Sequence, residues 1–365
     1  MVRIAVAGLG KMGIAHLAQI AQVDGVEIVG VCDPATYLLG LLRHQTDHPT
    51  FSDYRVMLDT AAPDAVVIAT PSHLHVAMAR AALERGIHVF CEKPLTLSPD
   101  DSAALVALAA ARGLVNQVGY HHRFMGTFRE IRRLLDAGVI GAISHASAEA
   151  RGPVVLRDSG TTWRTRRAQG GGCLFDYATH PIDLLAWYLG EPRSVGGTAL
   201  TRVFSRDTED QVHATLFFDA GRTAQLTVDW SDESQRKMST RVNIWGSHGH
   251  LYADRQEVRL FARRNANLPD GYRVGWNTRY ITDLTEPVGF YIRGEEYAAQ
   301  FEHFVARVAG RTLPALNDFA SAAVTDRVLA LLTANATAPR RSVAPAAAAA
   351  APAAPARRRR SLFAR

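Results

Sequence analysis

The sequence predicts two cores in series, a doubly wound α/β domain with a parallel sheet and then an α+β domain with a mainly antiparallel sheet. Three observations carry this expectation. Short apolar strand-like runs alternate with amphipathic helical ones through the first third; long strand-like runs separated by turn signals follow one another after residue 190; and a glycine-rich turn joins the first strand to the first helix. A length of 365 residues also exceeds a single domain of roughly 150.

In chain order, residues 3–7, 27–32, 65–69, 88–91 and 115–119 are short, apolar and often β-branched, as strands buried on both faces are. Helices are expected at 12–22, 73–85 and 99–112, the last two followed by Gly86 and Gly113 in C-cap position. This domain, 1–122, should bind its ligand at the carboxyl ends of its strands. In the second, 123–338, a helix at 128–137, a strand at 143–150 and a helical stretch at 175–189 precede strands at 194–204, 211–219, 223–230, 240–245 and 258–262, with Asp219-Ala220-Gly221 among the turns. Helices at 295–309 and 318–334 close it.

Residues 339–365 are rich in Ala, Pro and Arg and bury too little apolar surface to offset the entropy of ordering, so a disordered tail is expected. That tail holds seven arginines and no acid, which accounts for a formal charge of +6 and leaves the folded body without a nucleic-acid signal. The chain opens on a strand rather than a secretory leader, and no stretch reaches about 18 uninterrupted apolar residues. No membrane partner and a cytoplasmic location follow as expectations. Cys32, Cys91 and Cys173 are too scattered for a disulfide framework or a zinc site, and Cys91 and Cys173 are expected to be apolar fillers.

The glycine turn is Gly8-Leu9-Gly10-Lys11-Met12-Gly13. Gly8 permits the tight turn, Gly10 lets a pyrophosphate approach the backbone, and Gly13 lets the helix lie close to the strand. Asp33 ends the second strand 20 residues after Gly13, where a carboxylate accepts from both adenine-ribose hydroxyls and repels a 2′-phosphate. NAD is therefore favoured over NADP. The alternative is that Asp33 only caps the turn at Pro34.

With these motifs the chain resembles the Gfo/Idh/MocA family of sugar and cyclitol oxidoreductases. The resemblance is carried by Gly8 to Gly13, by Ala69-Thr70-Pro71-Ser72-His73-Leu74-His75, by Cys91-Glu92-Lys93-Pro94, by Gly119-Tyr120-His121-His122-Arg123-Phe124, by Trp163-Arg164, and by Gly170-Gly171-Gly172 leading to Asp176, His180 and Asp183. It implies a Rossmann domain, a substrate domain with an open-faced sheet used in homo-oligomer contacts, and NAD(P)-dependent interconversion of a secondary alcohol and a ketone. It also implies cofactor contacts from Lys11, Met12, Thr70, Pro71, His73, His75, Glu92, Lys93, Trp163 and Arg164, and substrate contacts from Lys93, Arg123, Asp176 and His180.

Hydride transfer from a carbinol needs a base for the hydroxyl proton and a donor for the developing oxyanion, and Lys93 with His180 can supply both. Asp176 and His180 are four apart, a spacing that puts them on one helical face within reach of each other. Pro181 complicates this, since the helix must either kink at His180 or begin at Pro181. Asp183 is expected to be structural. His121 and His122 are expected to point to opposite faces of a strand, so no metal site is expected.

Between Arg151 and Arg167 lie Arg151, Arg157, Arg164, Arg166 and Arg167 against the single acid Asp158, which suits an anionic sugar; a neutral hexose or inositol is the competing reading. Two further readings stay open: a relative that uses NAD in an internal redox cycle for elimination or glycoside cleavage, and a cofactor-binding regulator without turnover.

Overall fold

The computed structural model describes residues 1–155 and 163–338, so Arg157, Asp158 and the expected tail at 339–365 lie outside it. Its first part runs β1 (Val2–Ala7), α1 (Lys11–Ile20), β2 (Val26–Cys32), α2 (Thr36–Arg43), β3 (Thr50–Phe51), α3 (Tyr54–Ala61), β4 (Ala65–Ile68), α4 (His75–Glu84), β5 (His88–Cys91), α5 (Pro99–Ala111) and β6 (Asn116–Val118). All six strands are parallel in the order β3-β2-β1-β4-β5-β6. The order reverses between β1 and β4, which places a crevice at their carboxyl ends.

The expected apolar strands form β1, β2, β4, β5 and the edge strand β6 of this sheet, and every residue of β4 is buried. Gly86 and Gly113 adopt φ of 78° and 62° behind α4 and α5, as left-handed C-caps require. β3 went unexpected because two residues carry no periodicity.

The second part contains α6 (Gly126–Asp136), β7 (Ile143–Arg151), α7 (Cys173–Asp176), α8 (Thr179–Leu189), β8 (Ser194–Thr201), β9 (Gln211–Phe217), β10 (Thr223–Asp229), β11 (Ser239–Gly246), β12 (Gly249–Ala253), β13 (Glu257–Ala262), β14 (Gly275–Tyr280), α9 (Ile281–Leu284), α10 (Glu295–Val308) and α11 (Phe319–Thr337). Its eight strands lie in the order β14-β13-β12-β11-β7-β10-β9-β8. Among the described residues of this sheet only the β7–β10 pair is parallel.

Burial alternates along these strands, so Val242 and Ile244 of β11 face the core while Trp245 lies on the open side. Helices α6, α8 and α11 pack against strands of the sheet. β12 and β14 were not expected from sequence. β14 alternates between half-buried and exposed residues with none buried, so it shows no apolar stripe.

Helix α11 ties the two parts together. Asp318 caps its start by accepting from the Ser321 amide at 2.9 Å, and the helix packs on α5 of the first sheet as well as on β8 and α8 of the second. Among the described residues no helix is long and apolar enough to cross a membrane.

Candidate active site

The loop after β1 has the geometry of a phosphate cradle. Gly8 holds φ +97°, and a Cβ there would meet the Ala69 carbonyl oxygen at 2.6 Å. At Gly13 a Cβ would lie 1.7 Å from the Gly8 carbonyl oxygen, so only glycine lets α1 begin this close to the strand. At Gly10, by contrast, a Cβ meets nothing within 4 Å, and no side chain caps the first-turn amides of α1. Free amides beside open space are what a dinucleotide pyrophosphate needs. Lys11 is exposed and Met12 half-buried on this first turn.

Asp33 does more than cap Pro34. One carboxylate oxygen accepts from the Leu9 amide at 2.7 Å and the other from the Ala35 amide at 2.8 Å, so it braces the glycine loop. Each oxygen keeps a further lone pair, and the side chain remains half-buried at the mouth of the crevice. Thr70, Pro71 and the exposed His73 follow β4 on the same edge of the sheet. His75 is buried, with Nδ1 at 2.8 Å from the Pro94 carbonyl and Nε2 at 3.0 Å from that of Thr70. It joins the two loops that follow β4 and β5.

Lys93 leaves the carboxyl end of β5, and its ammonium donates to the Asp176 carboxylate at 2.5 Å and to the Asp176 carbonyl at 2.6 Å. Glu92 turns the other way, into α1, where its carboxylate meets His16 Nε2 at 2.6 Å. Burial alone would raise the Glu92 carboxyl, but the His16 contact and the nearby Lys93 charge together hold it below the ordinary range.

The second part closes over Lys93 from the opposite side. Gly172 adopts φ +108°, and a Cβ there would meet the Glu209 carboxylate at 2.2 Å. That carboxylate accepts from the Leu174 amide at 3.0 Å and so caps α7, which delivers Asp176. Arg164 donates to the other Asp176 oxygen at 3.0 Å, with its guanidinium 4.8 Å from the centre of the Trp163 ring. Asp176 is buried, which favours the neutral acid, yet Lys93 and Arg164 lower its pKa below the usual carboxylate value.

Asp176 and His180 are not hydrogen-bonded to each other. The helical hydrogen-bond ladder is interrupted at Tyr177 and Ala178, which keep right-handed backbone angles; α8 begins at Thr179, and His180 and Pro181 sit in its first turn, where proline is tolerated. The expected Asp–His pairing is replaced by Asp176 with Lys93 and Arg164. His180 Nδ1 is buried without a partner among the described residues. Burial, then the charges of Lys93, His122 and His121, holds its pKa well below the ordinary imidazole value.

His121 and His122 also depart from expectation. They lie on a 3-10 turn, His121–Phe124, rather than on a strand, and their rings converge with centroids 4.4 Å apart. Both face His180, at 5.2 and 4.9 Å, and His121 stacks on Tyr297 at 4.5 Å. Burial keeps both neutral and brings His122 down to about 3. Sequence reasoning quoted this histidine pair but missed its place, because strand alternation does not hold on a 3-10 turn. Among the described residues no cluster suits a metal ion.

Arg123 is spent elsewhere. It is buried, donates to both Asp183 oxygens at 2.9 and 2.6 Å and to the Leu316 carbonyl at 2.6 Å, and so supports the site instead of lining it. Asp183 is structural, as expected. Three of the cluster's arginines are paired with acids outside the Arg151–Arg167 window: Arg151 with Glu149, Arg164 with Asp176 and Arg167 with Glu209. Cys91 and Cys173 are buried thiols whose pKa burial raises well above the ordinary value, which suits fillers.

Residues 2–120 match the oxidoreductase family with an NAD-binding Rossmann fold, and residues 128–252 match the GFO/IDH/MocA C-terminal domain. The scyllo-inositol 2-dehydrogenase (NAD(+)) of Bacillus subtilis (strain 168) is 27% identical over 329 residues, covering 87% of this chain and 89% of that protein. A 2,7-anhydro-N-acetylneuraminate hydratase of Escherichia coli (strain K12) is 28% identical over 264 residues, 71% of this chain and 69% of its own. Among solved structures, levoglucosan dehydrogenase in complex with NADH and levoglucosan superposes with a TM-score of 0.79 at 21% identity, covering 92% of this chain and 97% of that one.

Proposed function

The chain belongs to the Gfo/Idh/MocA oxidoreductase family, and from that premise we propose that it interconverts a secondary alcohol and a ketone on an uncharged sugar, sugar derivative or cyclitol. The observation that carries this reading is the contact of Lys93 with Asp176 beside the neutral His180, an ammonium donor and an imidazole acceptor converging from two domains. Gly8, Gly10, Gly13 and Asp33 would hold NAD, with Thr70, Pro71, Trp163 and Arg164 along its path. Bound NAD supplies the hydride acceptor.

Lys93 keeps its ammonium oriented through Asp176 and donates to the substrate oxygen as negative charge develops there. His180 accepts the hydroxyl proton. Its low proton affinity makes the protonated form a strong acid, so the same ring returns a proton readily to a ketone oxygen in the reducing direction. His121 and His122, uncharged and each offering one donor and one acceptor nitrogen, match the hydroxyls of a polyol. The pairing of Arg151, Arg164 and Arg167 with acids supports an uncharged substrate over an anionic one.

A second reading is favoured by the hydratase relative: the hydride returns to the same molecule and the net reaction is not a redox one. Purified protein, NAD and a panel of cyclitols, aldoses, uronates and sugar phosphates test the proposal by absorbance of NADH. Turnover of an uncharged substrate that falls by about 10³-fold in Lys93→Met is expected from loss of a preorganised donor. A preference for uronates or phosphates, or full activity in the variant, would contradict it.

A further inference from the structure

The segment that carries Lys93 is held at three points. Glu92 is tied to His16 on α1, and the Pro94 carbonyl meets His75 at the start of α4. The third tie comes from a part of the chain more than 200 residues away. Asp326, on α11 and 3% exposed, accepts from the Thr96 amide at 3.0 Å, from the Thr96 hydroxyl at 3.4 Å and from the Ser102 hydroxyl at 2.6 Å, all at one oxygen. The Thr96 hydroxyl also lies 2.6 Å from that of Ser102, so the acid closes a buried polar ring around the loop.

An unpaired carboxylate at this depth is expensive to keep, and a hydrophobic residue would pack α11 on α5 without it. Its other oxygen, Oδ1, has no partner among the described residues. What the acid does provide is a link from the last helix to a residue three positions beyond Lys93. We propose that Asp326 is a positioning residue for the reaction, anchoring the Lys93 loop to α11 through Thr96 and Ser102 so that the ammonium stays aimed at Asp176.

Burial raises the Asp326 pKa to about 7, the hydrogen bonds from Ser102 and Thr96 offsetting it only in part. The anchor therefore titrates in the neutral range. The charged or titratable groups around it are few: Arg327 on α11, itself paired with Glu191, Cys91 on β5, and Tyr120 just beyond β6. Both Cys91 and Tyr120 are pushed upward by burial, which leaves Asp326 as the group of this cluster that changes charge near neutrality.

The inference rests on Lys93 acting in the proposed reaction. Its test compares Asp326→Ala, Asp326→Asn, Ser102→Ala and Lys93→Met with the wild-type holoprotein, in kcat, KM for NAD, pH profile and Tm. Loss of the anchor is expected to lower kcat about tenfold in Asp326→Ala with KM for NAD within about twofold, a geometric effect on one catalytic group. Asp326→Asn should restore most of kcat, because its carbonyl still accepts from the Thr96 amide, and should remove the titration near pH 7. Ser102→Ala should fall between, and it stands in for Asp326→Ala if that variant does not fold.

Turnover lost in Lys93→Met but unchanged, with an unchanged pH profile, in every anchor variant would overturn the anchor alone. Lowered Tm with wild-type kcat in the folded protein would do the same. Full activity in Lys93→Met would overturn the catalytic reading and the anchor with it.

Discussion

Two glycines of one turn do different work, and single substitutions separate them. A methyl group at Gly13 would overlap backbone 1.7 Å away, whereas at Gly10 it would enter space empty within 4 Å. Gly13→Ala should therefore destabilise the fold, while Gly10→Ala should melt as the wild type does and still lose NADH affinity by tenfold or more, about 1.4 kcal/mol. Thermal melting and NADH fluorescence titration check the pair. Normal NADH binding by Gly10→Ala would remove the cradle from the account. The places of these glycines, of Asp33 and of Lys93 at strand ends could be read from the sequence because they depend on local spacing after a strand. Arg123 could not, since its partners Asp183 and Leu316 come from distant parts of the chain. The pairing of the arginine cluster was missed because acids were counted only between Arg151 and Arg167, which leaves out Glu149 just before that window and Asp176 and Glu209 beyond it.

At the level of elements, periodicity identified the central strands and the long helices. It failed where the chain changes its repeat. The Asp176–His180 spacing assumed one regular helix, but the hydrogen-bond ladder is interrupted between α7 and α8, and strand alternation at His121 and His122 gave way to a 3-10 turn. That turn and the first turn of α8 bring together three buried imidazoles with lowered pKa values. The unfolded chain takes up these protons as pH falls below about 6.5, while the folded protein does not. Stability should thus fall with decreasing pH below that point, by up to about 1.4 kcal/mol per pH unit for each histidine. Asp326 acts in the opposite sense, because its raised pKa makes stability fall as pH rises from its unfolded value toward 7. Urea unfolding of the wild type and of His122→Phe between pH 5 and 8 should show a shallower acid limb in the variant. Parallel curves would mean that His122 is charged in the folded protein.

Across the whole molecule, the site exists only where two sheets meet. The Rossmann sheet provides the cradle and Lys93 at its strand ends, and the second domain provides Arg164, Asp176 and His180 from the segment between β7 and β8. Helix α11 packs on elements of both parts. The two-sheet architecture was legible because each sheet has its own hydrophobic pattern, but nothing in the sequence pattern fixes how one part is set against the other. In the proposed dehydrogenation a hydride leaves a carbinol carbon and departs with the cofactor. The most direct measurement uses a substrate bearing deuterium at that carbon and follows the mass of free NADH. Release of singly deuterated NADH in step with ketone formation is the predicted result; deuterium retained in the organic product, with no labelled NADH released, would contradict net dehydrogenation and leave an internal redox cycle.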